Sequence, residues 1–351
     1  LATLAVLVAL VVWIAWFRQS PERVEETYSQ GLFPFVGKLQ QALFGWIPFS
    51  VGDLFYAAVV MYGLVLVIRG LRWLLRGLWQ RAAHAALCLV NLVLVLYVAF
   101  YGLWGLNYFR VPLERQLGLE QVQPGIGDLV ETAYAFIDST NALREQLGTQ
   151  MPDRGNAEIY SEAARLVRDT ALVPASLLVH RPVAKNSLVN AFGNYMGVSG
   201  YFNPFTHEAY VNSSMPLWAR PFTACHELAH QAGIGFEDEA NYLGFVLAGQ
   251  SGDVLFRYSA YYTALWMILG DVRYFDRSLY QRLLKRISPV VRADVQAHRA
   301  YWERYLGVFN ALTEALYGQY LEANNQPEGL QRYDRLVRLV LAARRHAQGC
   351  G

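Results

Sequence analysis

The sequence predicts an α-rich α+β fold: three transmembrane helices within residues 1–110, then a helix-dominated domain over residues 111–351. Three observations carry this reading. The first 110 residues hold three long apolar runs. After Tyr108 the composition shifts to that of an ordinary globular domain. Within that domain helical spacing dominates, broken by one stretch of short runs and breakers at about residues 177–212.

The apolar runs are Leu1–Phe17, Val51–Ile68 and Ala85–Leu106. A spanning helix needs about 20 apolar residues, within a range of roughly 17–25. Aromatic residues flank the runs, among them Trp13, Trp16, Trp73, Trp79, Tyr101, Trp104 and Tyr108, as expected where rings sit at the lipid–water boundary. The first run is followed by Arg18-Gln19-Ser20-Pro21 rather than by a small-residue cleavage site, so it reads as a span. The segment Gly31–Phe49, interrupted by prolines and glycines, reads as an interfacial or re-entrant piece. Between the second and third runs stand Arg69, Arg72, Arg76 and Arg81 without an acid, whereas Arg18, Arg23 and Lys38 are mixed with Glu22, Glu25 and Glu26. The positive-inside rule puts the arginine-rich connection in the cytoplasm and everything after the third span outside it.

The chain has 351 residues, 54% hydrophobic and 17% charged, with a net charge of +2. The apolar excess fits a bilayer as partner. No basic run interleaved with aromatics is present, so nucleic acid is excluded as a partner. Three cysteines make no disulfide framework, and Cys225 reads as a small buried residue.

In the downstream domain, Leu129, Ala133, Phe136, Ile137, Leu143 and Leu147 recur at helical spacing, as do Ile159, Ala163, Leu166 and Val167. Leu177–His180 and Ala209–Asn212 are strand candidates. From Pro221 the pattern is helical through Arg257–Leu269, Val290–Tyr320 and Leu330–Ala343. Val254–Leu269 is short for a span and carries Arg257, so it reads as a buried helix.

The chemistry lies in Pro221-Phe222-Thr223-Ala224-Cys225-His226-Glu227-Leu228-Ala229-His230-Gln231, which contains a His-Glu-x-x-His motif. Pro221 suits the first turn of a helix, and Gly233 and Gly235 end it. Residues four apart on a helix share one face about 5–6 Å apart, so His226 and His230 can reach one ion. Zinc favours such nitrogen ligands, and Glu227 between them suits a general base that takes a proton from water. A third ligand is expected among the acids just past the turn, with Glu237 and Glu239 as candidates. Gly233 falls at the glycine of the metzincin pattern, but Phe236 occupies the place of that pattern's third histidine.

The chain resembles a family of bacterial membrane proteins catalogued as a domain of unknown function, in which three N-terminal spans precede a zincin motif. The matching pieces are Ile47-Pro48-Phe49-Ser50, Gly200-Tyr201-Phe202-Asn203-Pro204-Phe205-Thr206, Pro221–Gln231, Glu237–Asn241 and Phe256-Arg257-Tyr258-Ser259. The resemblance implies a zincin-like, gluzincin-like metallopeptidase domain with Zn2+ as cofactor and no settled substrate. In several zincin families the ligand glutamate stands three residues before Ala and four before Asp or Asn. Glu237 has that relation to Ala240 and Asn241. The same resemblance makes Glu237 the preferred ligand over Glu239, and Asn241 a residue orienting a ligand imidazole. The family pattern has glycine where His207 stands, so His207 is not assigned as a ligand.

Two further roles are expected. Zincins commonly pair an extended substrate with a strand beside the active helix, and Glu208-Ala209-Tyr210-Val211-Asn212 is the candidate. Tyr258, Tyr261 and Tyr262 are candidate donors to an oxyanion, whereas His180 and His298 read as ordinary packing residues. The expected protein is thus a zinc hydrolase at the outer face of the bacterial cytoplasmic membrane, cleaving a protein or peptide. The rivals are a zinc-bound sensor or scaffold without catalysis, and a hydrolase of a non-peptide amide or ester.

Overall fold

The computed structural model describes residues 2–119, 125–170, 181–305, 307–325 and 335–349. The strand expected at Leu177–His180, and with it His180, lies outside the described residues. The chain divides into two compact units: Leu1–Arg110 with Asn203–Glu208, and Val111–Phe202 with Ala209–Gly351. The first unit is therefore not one continuous segment, because it takes in the short turn at 203–208.

In the first unit, α1 (Ala2–Phe17) is followed by α2 (Pro21–Arg23), a π-helix (Val24–Leu32) and α3 (Phe33–Phe44). Two long helices follow, α4 (Val51–Leu75) and α5 (Trp79–Leu103). Among the described residues, α4 and α5 alone are by themselves long and apolar enough to cross a membrane; a third span results if α1 and the bent helix after it, at 109°, are taken as one. Just 17% and 6% of the apolar windows of α4 and α5 are buried within the protein, so their side chains require an apolar solvent. Both helices run further than the apolar runs suggest, and Arg69 and Arg72 lie on α4 itself. The segment Gly31–Phe49, expected to be broken, is largely helical: Pro34 sits in the first turn of α3, where its missing N–H is tolerated. Two buried polar pairs tie this unit together. Arg110 donates to both oxygens of Glu25 at 2.9 and 2.6 Å, and Ser29 donates to Asn107 at 2.9 Å.

The second unit is built on helices, in keeping with the periodicity of its sequence. They are α6 (Leu113–Gln116), α7 (Ile126–Gln146), α8 (Asn156–Asp169), α9 (Asn190–Tyr195), α10 (Arg220–Gln231), α11 (Glu237–Gly249), α12 (Val254–Phe275), α13 (Arg277–Arg286), α14 (Pro289–Glu303), α15 (Val308–Ala323) and α16 (Arg335–Gly349). The predicted run Val290–Tyr320 divides into α14 and α15, with Gly307 capping the second. Helix α12 is buried along its length, from Leu255 and Phe256 to Leu269 and Val272, so its apolarity serves the core. Three short strands, β1 (Ala184–Asn186), β2 (Gly200–Asn203) and β3 (Glu208–Val211), form a sheet in the order β1-β3-β2. Strand β1 runs parallel to β3, with Ala184 opposite Ala209 and Asn186 opposite Val211.

Candidate metal centre

Helix α10 starts with Pro221 in its first turn and ends in a Schellman turn. Gly233 takes φ +88°, a left-handed conformation that costs glycine little. Its N–H reaches the His230 carbonyl at 3.0 Å, and that of Ile234 reaches Ala229 at 3.1 Å. This reversal brings the Ile234 carbonyl under the last turn, where it accepts a 2.7 Å hydrogen bond from His230 Nδ1. With Nδ1 committed to that carbonyl, Nε2 is the ring nitrogen left to face a ligand.

The motif places its side chains as its spacing requires. His226 Nε2 and His230 Nε2 are 3.1 Å apart. His226, Glu227 and His230 offer ligand atoms within 4.8 Å of one another, a group that could hold a metal ion. Glu237, the first residue of α11, faces both rings: Oε2 is 3.3 Å from His226 Nε2 and Oε1 is 3.4 Å from His230 Nε2. Gly244 sets how closely α11 approaches α10, since a Cβ there would lie 3.3 Å from the His226 backbone nitrogen. Glu239 is turned elsewhere. It is buried, and its Oε1 accepts from the Leu113 N–H at 2.8 Å.

Electrostatics separate the two carboxylates of the centre. Burial lifts the Glu227 carboxyl to about 7, against the opposing pull of the His226 and His230 imidazoles. Burial alone would lower His230, but the Glu237 carboxylate beside it raises it to about 9. Glu237, although burial works against its charge, is held well below the usual carboxylate range by His230 and His226. Glu227 Oε2 and His226 Nδ1 are buried without a hydrogen-bond partner among the described residues. Strand β2 closes on the same carboxylate: a Cβ on Gly200 would fall 2.6 Å from Glu227 Oε1 and 2.8 Å from the Tyr210 carbonyl. Only a glycine allows that approach. Cys225, beside His226, is fully buried, and burial pushes its thiol up, so it is no nucleophile.

Several expected roles change in the structure. Strand β3 is the central strand, with β1 and β2 on either side and all four residues buried, so Glu208, Ala209, Tyr210 and Val211 have no open edge for a substrate. Asn212, just past β3, is buried and donates to Asn194 at 2.5 Å. The three tyrosines are engaged with other groups. Tyr258 donates to Asp294 at 2.6 Å, Tyr261 packs on Phe136 and Phe245, and Tyr262 meets His298 Nδ1 at 3.1 Å. Asn241 lies on α11 but bonds to neither Nδ1: that of His230 is bonded to Ile234, and that of His226 has no partner among the described residues. His207 takes φ +57°, the left-handed region a glycine would occupy freely, and is buried against Phe33 of the first unit. The sequence singled out neither the Ile234 carbonyl nor Tyr317, whose hydroxyl donates to Glu237 Oε1 at 2.5 Å.

The protein is thus a helix-rich chain with helices of membrane-spanning type and a His-Glu-His group able to hold a metal. It belongs to the family described as protein of unknown function (DUF3810), which matches residues 28–341 and so includes all of the centre. No curated protein and no solved structure matches the chain.

Proposed function

We propose that this protein is a membrane-anchored, zinc-dependent hydrolase of the zincin type that cleaves a peptide bond in a protein or peptide. The observation that carries the reading is the pairing of unlike carboxylates around two imidazoles. Glu237 is held ionised between His226 and His230, whereas Glu227 is buried with one oxygen unpartnered. A binding site without chemistry has no need of the second carboxylate.

The residues fit zinc: two imidazole nitrogens and one carboxylate are a donor set of catalytic zinc sites, which keep a further position open. His226, His230 and Glu237 would hold the ion. When bound, zinc supplies a Lewis acid that acidifies water and polarises a carbonyl. Glu227 then takes the proton from water and delivers it to the leaving amine, a transfer suited to a carboxyl near the working pH. An extended substrate pairing with the sheet would need an outer strand, and β2, with Gly200 against Glu227, is the one beside the base.

The arginines at the facing ends of α4 and α5 and between them, Arg69, Arg72, Arg76 and Arg81, support a cytoplasmic position for that end and an extracytoplasmic hydrolase domain. The bacterial cytoplasmic membrane is accordingly the proposed location. Purified protein in detergent should release new amino termini from a mixed peptide library, detected by mass spectrometry, and a zinc chelator should abolish the release. Turnover of an ester or non-peptide amide with all peptides left intact would redirect the reading to another substrate class. Bound zinc without any turnover would favour a sensor or scaffold.

A further inference from the structure

Helix α15 contributes one side chain to the centre. Tyr317 donates to Glu237 Oε1 at 2.5 Å, within the range of a strong hydroxyl–carboxylate bond. Its ring lies 6.0 Å from that of Tyr320, with the planes 16° apart, so the neighbouring turn of α15 supports the position of the phenol. Glu237 needs such a partner. It opens α11 behind Phe236, which offers no side-chain cap, and a glutamate at a helix start has several rotamers open to it. With Tyr317 on Oε1, Oε2 remains as the oxygen facing His226 at 3.3 Å.

We propose that Tyr317 is a positioning residue of the metal centre, fixing Glu237 so that its carboxylate is pre-set beside the two imidazoles. The proposal rests on the metal-site reading above. It acts through Glu237 rather than on substrate, because the hydroxyl is committed to the carboxylate. Partners of this kind, which orient a ligand, typically change metal affinity by about 10–100-fold when removed.

The test is chelator competition for zinc on the full-length protein in detergent, with Tyr317→Phe, Glu237→Gln and the double variant beside the wild type. Tyr317→Phe should weaken zinc binding about tenfold or more, with the thermal midpoint unchanged and the absorption bands of the Co2+-loaded protein shifted. In the Glu237→Gln background the same change should add little, since the route is through Glu237. Tyr320→Phe should leave the affinity as it is. Wild-type affinity in Tyr317→Phe, or an equal loss in the Glu237→Gln background, would overturn the positioning role alone. A wild-type protein that binds no zinc would remove both the role and the centre it serves.

Discussion

Glu227→Gln should leave zinc bound and lower turnover by about 10²–10⁴-fold, the usual contribution of a positioned acid–base group. The substitution keeps shape and volume, so the contact with Gly200 stays filled. It removes the proton acceptor while retaining His226, His230 and Glu237. The separation of effects matters more than the size of the loss. Metal content near wild type with turnover gone assigns Glu227 to proton transfer. Turnover within about tenfold of wild type would contradict that role, because an amide has no basicity to replace the carboxylate. Loss of metal together with turnover would instead make Glu227 a ligand.

The second large effect is on stability. Asp294 of α14 accepts from Arg144 Nε of α7 at 2.6 Å and from the Tyr258 hydroxyl of α12 at 2.6 Å, all three being buried. Arg144 also donates to the Gly148 carbonyl at 2.7 Å. Asp294→Ala strands a buried guanidinium and a phenol at once, and removing one partner of a buried pair costs about 3–5 kcal/mol. Denaturant unfolding in detergent should show a loss of that order. Tyr258→Phe, which leaves the ion pair intact, should cost less, about 1.5–3 kcal/mol for a bond to a charged group, and leave turnover of the folded protein unchanged. A large fall in turnover with Tyr258→Phe would restore this tyrosine as an oxyanion donor, against its position on Asp294.

What the sequence made legible follows the range of the physics. The apolar helices were readable because lipid demands a continuous apolar run and the chain supplies it locally. The facing imidazoles were readable because a four-residue spacing on a helix fixes their proximity. The choice between Glu237 and Glu239 was not, since both stand in the first turn of α11 with the same local chemistry. Only the fold separates them: the Glu239 carboxylate accepts from the Leu113 N–H, 126 positions away, while Glu237 faces both imidazoles. Tyr317, 80 positions from Glu237, carried no local signal either. Strand β3 looked like an edge because its parallel partner β1 lies well upstream and is only three residues long. Tyr258 and Tyr262 are buried on α12 and Tyr261 packs on Phe136 and Phe245, in a core where a phenol finds a structural acceptor as readily as a reacting one.

Everything proposed for this protein depends on a catalytic metal ion held by His226, His230 and Glu237. The most direct test is the metal content of the purified wild-type protein beside Glu237→Ala and Glu239→Ala, measured by elemental analysis. About one zinc per chain is expected in the wild type, as in zinc sites of this donor set, lost in Glu237→Ala and kept in Glu239→Ala. A wild-type protein that takes up no zinc even after reconstitution, or that loses it with Glu239 and keeps it without Glu237, would show that these three residues do not hold such an ion.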